Sequence, residues 1–121
     1  MKLIIDNSKR ISDVQKQFNS TFPYLKIQLF KRPHLNYQGS PKSEMINESI
    51  LLSQLNHTNG NIEIDGEITV QELESLFSNL FNLNVQVFRK SGKSWLETTI
   101  TDNWTLNKQN KEGEELSSIY N

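Results

Sequence analysis

Residues Lys2-Leu3-Ile4-Ile5-Asp6 return 59 positions later as Asn61-Ile62-Glu63-Ile64-Asp65, and the stretches behind the two copies match as well. Ile11, Val14, Phe18 and Phe22, spaced three, four and four, stand at the same offset from Val70, Leu73, Phe77 and Phe81. That spacing puts each set on one stripe of a helix. A closing run, Ile27-Gln28-Leu29-Phe30-Lys31-Arg32, is matched at an offset of 58 by Val85-Gln86-Val87-Phe88-Arg89-Lys90. Any two β-α-β units share a hydrophobic pattern, but the paired Asp, Gln and basic residues go further. The chain is read as a structural duplication, with repeats at about 2–32 and 61–90.

Local signals predict the individual elements. Strands are expected at 2–6, 25–31, 61–65, 84–89 and about 94–101, from alternation and β-branched content. The first helix, about 8–22, takes Ser8 or Ser12 as its cap and stops at Pro23. Thr69 and Glu72 form a capping box for the second, over 69–82. Ser40-Pro41 opens an expected helix at 42–56, with Ile46, Ile50, Leu51 and Leu55 on its inner side and Gly60 closing it. Lys90-Ser91-Gly92-Lys93 makes a hairpin of the last two strands. Thr105 caps a short final helix that Gly113 ends, and Leu116, Ile119 and Tyr120 offer a docking anchor for the tail.

Helices long enough to cross a sheet link the strands of each unit, so those strands are expected to be parallel. The predicted fold is α+β: a two-layer sandwich with a mixed sheet backed by helices, related to a ferredoxin-like arrangement. The helix at 42–56 and the C-terminal hairpin strand are additions to that scheme. All 121 residues form one domain, with 33–60 connecting the repeats and 91–121 as hairpin and C-terminal segment. A chain this long buries about two thirds of the surface it exposes when unfolded.

Composition narrows the chemistry. With no cysteine, disulfides, thiolate nucleophiles and zinc–thiolate sites are excluded. No apolar run approaches a membrane span, and no signal-peptide pattern opens the chain, so the expected location is the cytoplasm, away from membranes. Residues 1–60 carry eight Lys/Arg against four Asp/Glu, and residues 61–121 five against ten. A net charge of −1 argues against general nucleic-acid binding.

The segments Gln86-Val87-Phe88-Arg89-Lys90-Ser91-Gly92-Lys93, Trp95-Leu96-Glu97-Thr98-Thr99 and Asp102-Asn103-Trp104-Thr105-Leu106, with Gln109-Asn110, go together. With Phe22-Pro23-Tyr24-Leu25-Lys26 and Gly39-Ser40-Pro41-Lys42-Ser43 they resemble a small bacterial protein family of no assigned activity. The resemblance spans nearly the whole chain and implies no catalytic residue.

No known catalytic pattern stands in the sequence. His34 and His57 are the two histidines, far apart, and neither belongs to a ligand pair. Asp65-Gly66-Glu67 lacks the remaining ligands of a calcium loop, and Asp6 and Asp65 read as turn-forming residues. Lys90-Ser91-Gly92-Lys93 lacks the glycine spacing of a phosphate loop, and no serine sits in a nucleophile elbow. No metal or cofactor is therefore expected.

The binding candidates are Arg89, Lys93, Trp95 and Trp104, with Lys31 and Arg32 at the matching strand end and His34 and Tyr37 in the proline-flanked loop. Each basic group is either a solvated hairpin tip or an anchor for an acidic ligand, with Arg89 first for a bidentate contact. Trp95 shares a strand face with Glu97. It is either covered by Trp104 or the tail, or free as a binding anchor. The chain therefore reads as a small non-catalytic binding or protein-interaction module, its partner another protein or a second copy. Two alternatives stand beside it: binding of single-stranded RNA or another acidic ligand, and a small enzyme with an unrecognised carboxylate or hydroxyl site.

Overall fold

The two helical stripes bury what their spacing says they should. In the computed structural model, which describes residues 1–33 and 41–118, Phe18 and Phe77 are each wholly buried. The order is β1 (Lys2–Ile5), α1 (Ile11–Thr21), β2 (Leu25–Phe30), β3 (Gly60–Glu63), α2 (Val70–Phe81), β4 (Asn84–Ser91), β5 (Ser94–Glu97) and α3 (Leu106–Ser118). Ring pairs sit at matching places: Phe18 and Phe22 with centroids 5.2 Å apart, Phe77 and Phe81 at 5.5 Å. These join Leu3, Ile5, Leu25, Ile27, Val85 and Val87 in one core. Burying each such side chain stabilises the fold by roughly 1.5–3 kcal/mol. Among the described residues, no helix is long and apolar enough to cross a membrane.

The α+β sandwich is as expected, but its strands pair differently. Five strands form two antiparallel sheets, β1-β3 and β2-β4-β5, rather than one mixed sheet. Each strand of the first repeat pairs with its own counterpart in the second. Leu3 lies opposite Ile62 and Gln28 opposite Gln86, and both are pairs of equivalent residues. Each ladder is therefore centred on a local pseudo-two-fold axis. Antiparallel pairing brings Lys2 opposite Glu63, a favourable cross-strand charge pair that a parallel arrangement would not provide.

The segments that follow β2 and β5 meet the two helices in matching ways. The expected helix at 42–56 is two short 3-10 turns, Lys42–Glu44 and Leu52–Gln54, flanking a segment that meets the start of α1. Carbonyls of Ile50 and Glu48 accept from the N–H groups of Ile11 and Ser12 at 3.0 and 2.9 Å. In the second unit, carbonyls of Trp104 and Asp102 accept from Val70 and Gln71 at 3.0 and 2.8 Å. The first N–H groups of a helix have no partner within it, and non-helical backbone here supplies the acceptors. Ile46, Ile50 and Leu55 still pack on the core, and Leu52 is fully buried.

Caps and turns obey the same logic. Thr69 Oγ1 accepts from Glu72 N–H at 3.1 Å, the expected cap of α2. Neither Ser8 nor Ser12 caps α1: it begins at Ile11, and Asp13 Oδ2 accepts from Arg10 N–H at 2.8 Å. Ser8 belongs to the preceding turn, where Asp6 Oδ1 accepts from its N–H at 2.9 Å; Asp65 takes the N–H of Glu67 likewise. The Ser8 hydroxyl, then its backbone N–H, holds the Asp6 carboxyl below the usual carboxylate range. Gly113 does not end the last helix, which runs through it to Ser118. A Cβ there would stand 2.8 Å from Tyr24 Cβ, so glycine is what lets α3 lie this close to the start of β2.

Candidate functional site

Two helix–sheet grooves occupy equivalent places in the repeats. One is lined by Ser12, Gln15, Lys16 and Asn19 of α1, with Lys26, Glu48 and Trp95, and has a volume of about 250 Å3. The other, about 180 Å3, is lined by Gln71, Glu74, Ser75 and Ser78 of α2, with Pro33, Asn84 and Val85. The four α2 positions are the counterparts of the four on α1, and Asn84 is the counterpart of Lys26. Lys16 and Lys26 are thus replaced by Ser75 and Asn84. The scaffold forms this groove without lysines in one unit and carries two in the other.

Trp95 closes the cationic groove from β5. Its ring centroid lies 5.8 Å from Lys26 Nζ, within cation–π range. Gln15 and Asn19 are engaged structurally: Gln15 Nε2 donates to Ile27 O at 2.7 Å, and Asn19 Nδ2 to Leu25 O at 2.9 Å. That leaves Lys16, Lys26, Glu48, Ser12 and the indole as the groove's variable chemistry.

β5 is one of the two outer strands of its sheet, and all four of its side chains are exposed. Trp95 is 36% accessible and Leu96 44%, on opposite faces; just beyond the strand, Ile100 is 81% accessible. Gly92, at φ 61°, occupies the hairpin turn, with Ser91 opposite Ser94 and Lys93 exposed between them. Glycine with positive φ at the first central position gives a two-residue turn whose twist suits the flanking strands. β5 ends at Glu97, short of 101, as Thr98 and Thr99 turn inward and are buried.

The other tryptophan belongs to a different place. Arg89 stands opposite Leu96 while Lys90 stands opposite Trp95, so Arg89 and Trp95 project from opposite faces. The Trp104 ring has Arg89 Cζ 5.7 Å and Lys108 Nζ 4.2 Å from its centroid. Trp104 is therefore not the cover of Trp95. Arg89 Nη1 donates to Gln109 Oε1 at 2.9 Å, and Gln109 Nε2 donates to Thr101 O and Oγ1, both at 2.8 Å. The arginine that leads the sequence candidates is half-buried and helps seat α3.

The remaining candidates are dispersed. Lys31 and Arg32 are exposed just after β2, with Arg32 Nε 3.9 Å from Glu44 Oε1. His34 and Tyr37, like the expected anchor residues Ile119 and Tyr120, lie outside the described residues. His57 is held locally, its ring nitrogens 3.0 Å from Leu55 O and 2.7 Å from Asn59 Oδ1. Sequence reasoning passed over Lys16, Lys26 and Glu48. Lys26 was readable in part, because the alternation of β2 turns it away from the core face.

Among known proteins, no family model matches this chain, and no curated protein or solved structure is found to be similar to it.

Proposed function

We propose that this chain is a small, non-catalytic protein-interaction module working in the cytoplasm, and that it binds through β5. The observation that carries the reading is an outer strand with every side chain exposed, two of them Trp95 and Leu96. Such an edge offers unpaired backbone groups, and a tryptophan buries large area at small entropic cost. Lys93 and Trp95 make contact in this reading; Arg89 and Trp104 hold the β4–α3 junction behind them. Affinity capture from host extract tests it with Trp95→Ala/Leu96→Ser beside wild type. The expected result is at least tenfold less of each specific partner at an unchanged melting temperature, with Lys31→Ala/Arg32→Ala behaving as wild type. Equal capture by the β5 variant sinks the reading.

A second reading has its own support: the groove of the first unit carries Lys16, Lys26 and Trp95 where its counterpart carries neither lysine. That chemistry suits a small acidic ligand, its negative group between the ammonium groups and its flat part on the indole. In a Trp104→Phe background, Trp95 fluorescence should respond to an oligouridylate or a dicarboxylate, with the response fading in salt and lost in Lys16→Ala/Lys26→Ala. No response at low salt removes this option.

A further inference from the structure

We infer that the partner of the β5 edge is a second copy of this chain, paired strand to strand about a two-fold axis at Trp95. This rests on the interaction-module reading above and specifies its partner.

The backbone sets which residues can pair outward. Thr98 N–H donates to Val87 O, so at that position β5 faces β4. Alternation along an antiparallel strand then turns the N–H and C=O groups of Leu96 and Ser94 towards β4 as well, and those of Trp95 and Glu97 away from it. The outward groups are the ones a neighbouring strand meets.

Side chains choose the register. An edge-to-edge pair related by a two-fold axis through the sheet keeps like faces together, so a residue can oppose only one on its own face. Centring on Trp95 places it opposite its own mate and Ser94 opposite Leu96, and brings Lys93, in the turn just before the strand, alongside Glu97 at its end, the last twice by symmetry. Centring one position on, at Leu96, would set Trp95 against Glu97 and leave Lys93 without an acidic partner. The charge pattern of Lys93-Ser94-Trp95-Leu96-Glu97 is its own complement only about the tryptophan. Opposite charges across a ladder stabilise it, and like charges oppose it. The joined sheet would run six strands wide, with each Trp95 beside its equivalent.

The contact is isologous and closes at two copies. β2, the other outer strand of this sheet, is almost wholly buried, and its far edge already takes the bridge Phe30–Met45 and the bond from Ile46 N–H to Leu29 O.

Sedimentation velocity of the full chain, from about 1 to several hundred micromolar, tests this with a charge exchange. Wild type should pass from monomer to dimer. Lys93→Glu and Glu97→Lys each create two like-charge pairs and should weaken the dimer about tenfold or more. The double variant Lys93→Glu/Glu97→Lys restores complementarity and should return to within about threefold of wild type. A dimer unaffected by the single changes, a double variant no better than either single, or growth beyond two copies would overturn the inference. So would a wild-type chain that stays monomeric throughout. If that monomer still loses captured partners in Trp95→Ala/Leu96→Ser, the module stands and only the self-pairing falls; if capture is also unchanged, both fall.

Discussion

Phe77→Ala should lower the unfolding free energy by about 3–5 kcal/mol, and Phe18→Ala by a similar amount, measured by urea denaturation. Both rings are wholly buried, and each leans on a second phenylalanine of its own repeat. Truncation removes the transfer free energy of the ring and leaves a cavity that the surrounding backbone fills only in part. Against the roughly 5–15 kcal/mol that holds a domain of this size, either change takes a large share. Because β1 pairs with β3 and β2 with β4, neither repeat has a complete sheet of its own. Unfolding should therefore remain one cooperative step in both variants, tracked alike by far-ultraviolet circular dichroism and tryptophan emission. A loss under about 1.5 kcal/mol, or two separated transitions, would contradict a shared core.

Why was this core legible when the pairing of the strands was not? Helical spacing survives in a single sequence, because the positions three and four apart from Ile11 to Phe22 need no partner to be recognised. Strand pairing is a relation between distant segments, and the crossover argument favours a parallel pair within each unit. The match between the two halves points the other way: equivalent strands placed about a two-fold axis perpendicular to them meet antiparallel. The segment from Met45 to Leu55 misled for a different reason. Its Ile46, Ile50 and Leu55 lie near helical spacing, yet Glu48, Ile50 and Leu52 repeat at period two, and so do Asp102, Trp104 and Leu106 at an offset of 54. The alternation is the real signal, since both segments present carbonyls to the start of a helix. The candidate site was legible in its aromatic half. Trp95 read as a partly exposed ring, but the lysines beside it come from α1 and β2, which only the packing brings near. Arg89 and Trp104 looked like part of the same surface because they are close to Trp95 in sequence. The register of β4 and β5 sends them to the other face.

Gly113 offers a test in which two effects of opposite sign compete. In an exposed helix interior, Gly→Ala stabilises by about 1 kcal/mol through backbone entropy. Here the added Cβ would lie 2.8 Å from Tyr24 Cβ, 3.1 Å from Tyr24 O and 3.2 Å from Arg89 Cγ. Two of those neighbours are the backbone oxygen and first side-chain carbon of Tyr24, whose N–H donates to Asn110 Oδ1 at 2.9 Å, so they cannot swing aside as a chain end would. Overpacking of this kind costs about 1–3 kcal/mol and wins over the entropic gain. Gly113→Ala should therefore be destabilising, and Gly113→Val more so, by roughly 2–4 kcal/mol, because it adds a β-branched side chain at the same contact. The displacement of α3 would also part Gln109 from Arg89 and loosen the stack on Trp104. Trp104 emission, read in a Trp95→Phe background, should shift before the global transition. A stabilised Gly113→Ala would mean that α3 can move off β2 freely, and the close approach of Tyr24 would then not be what requires glycine.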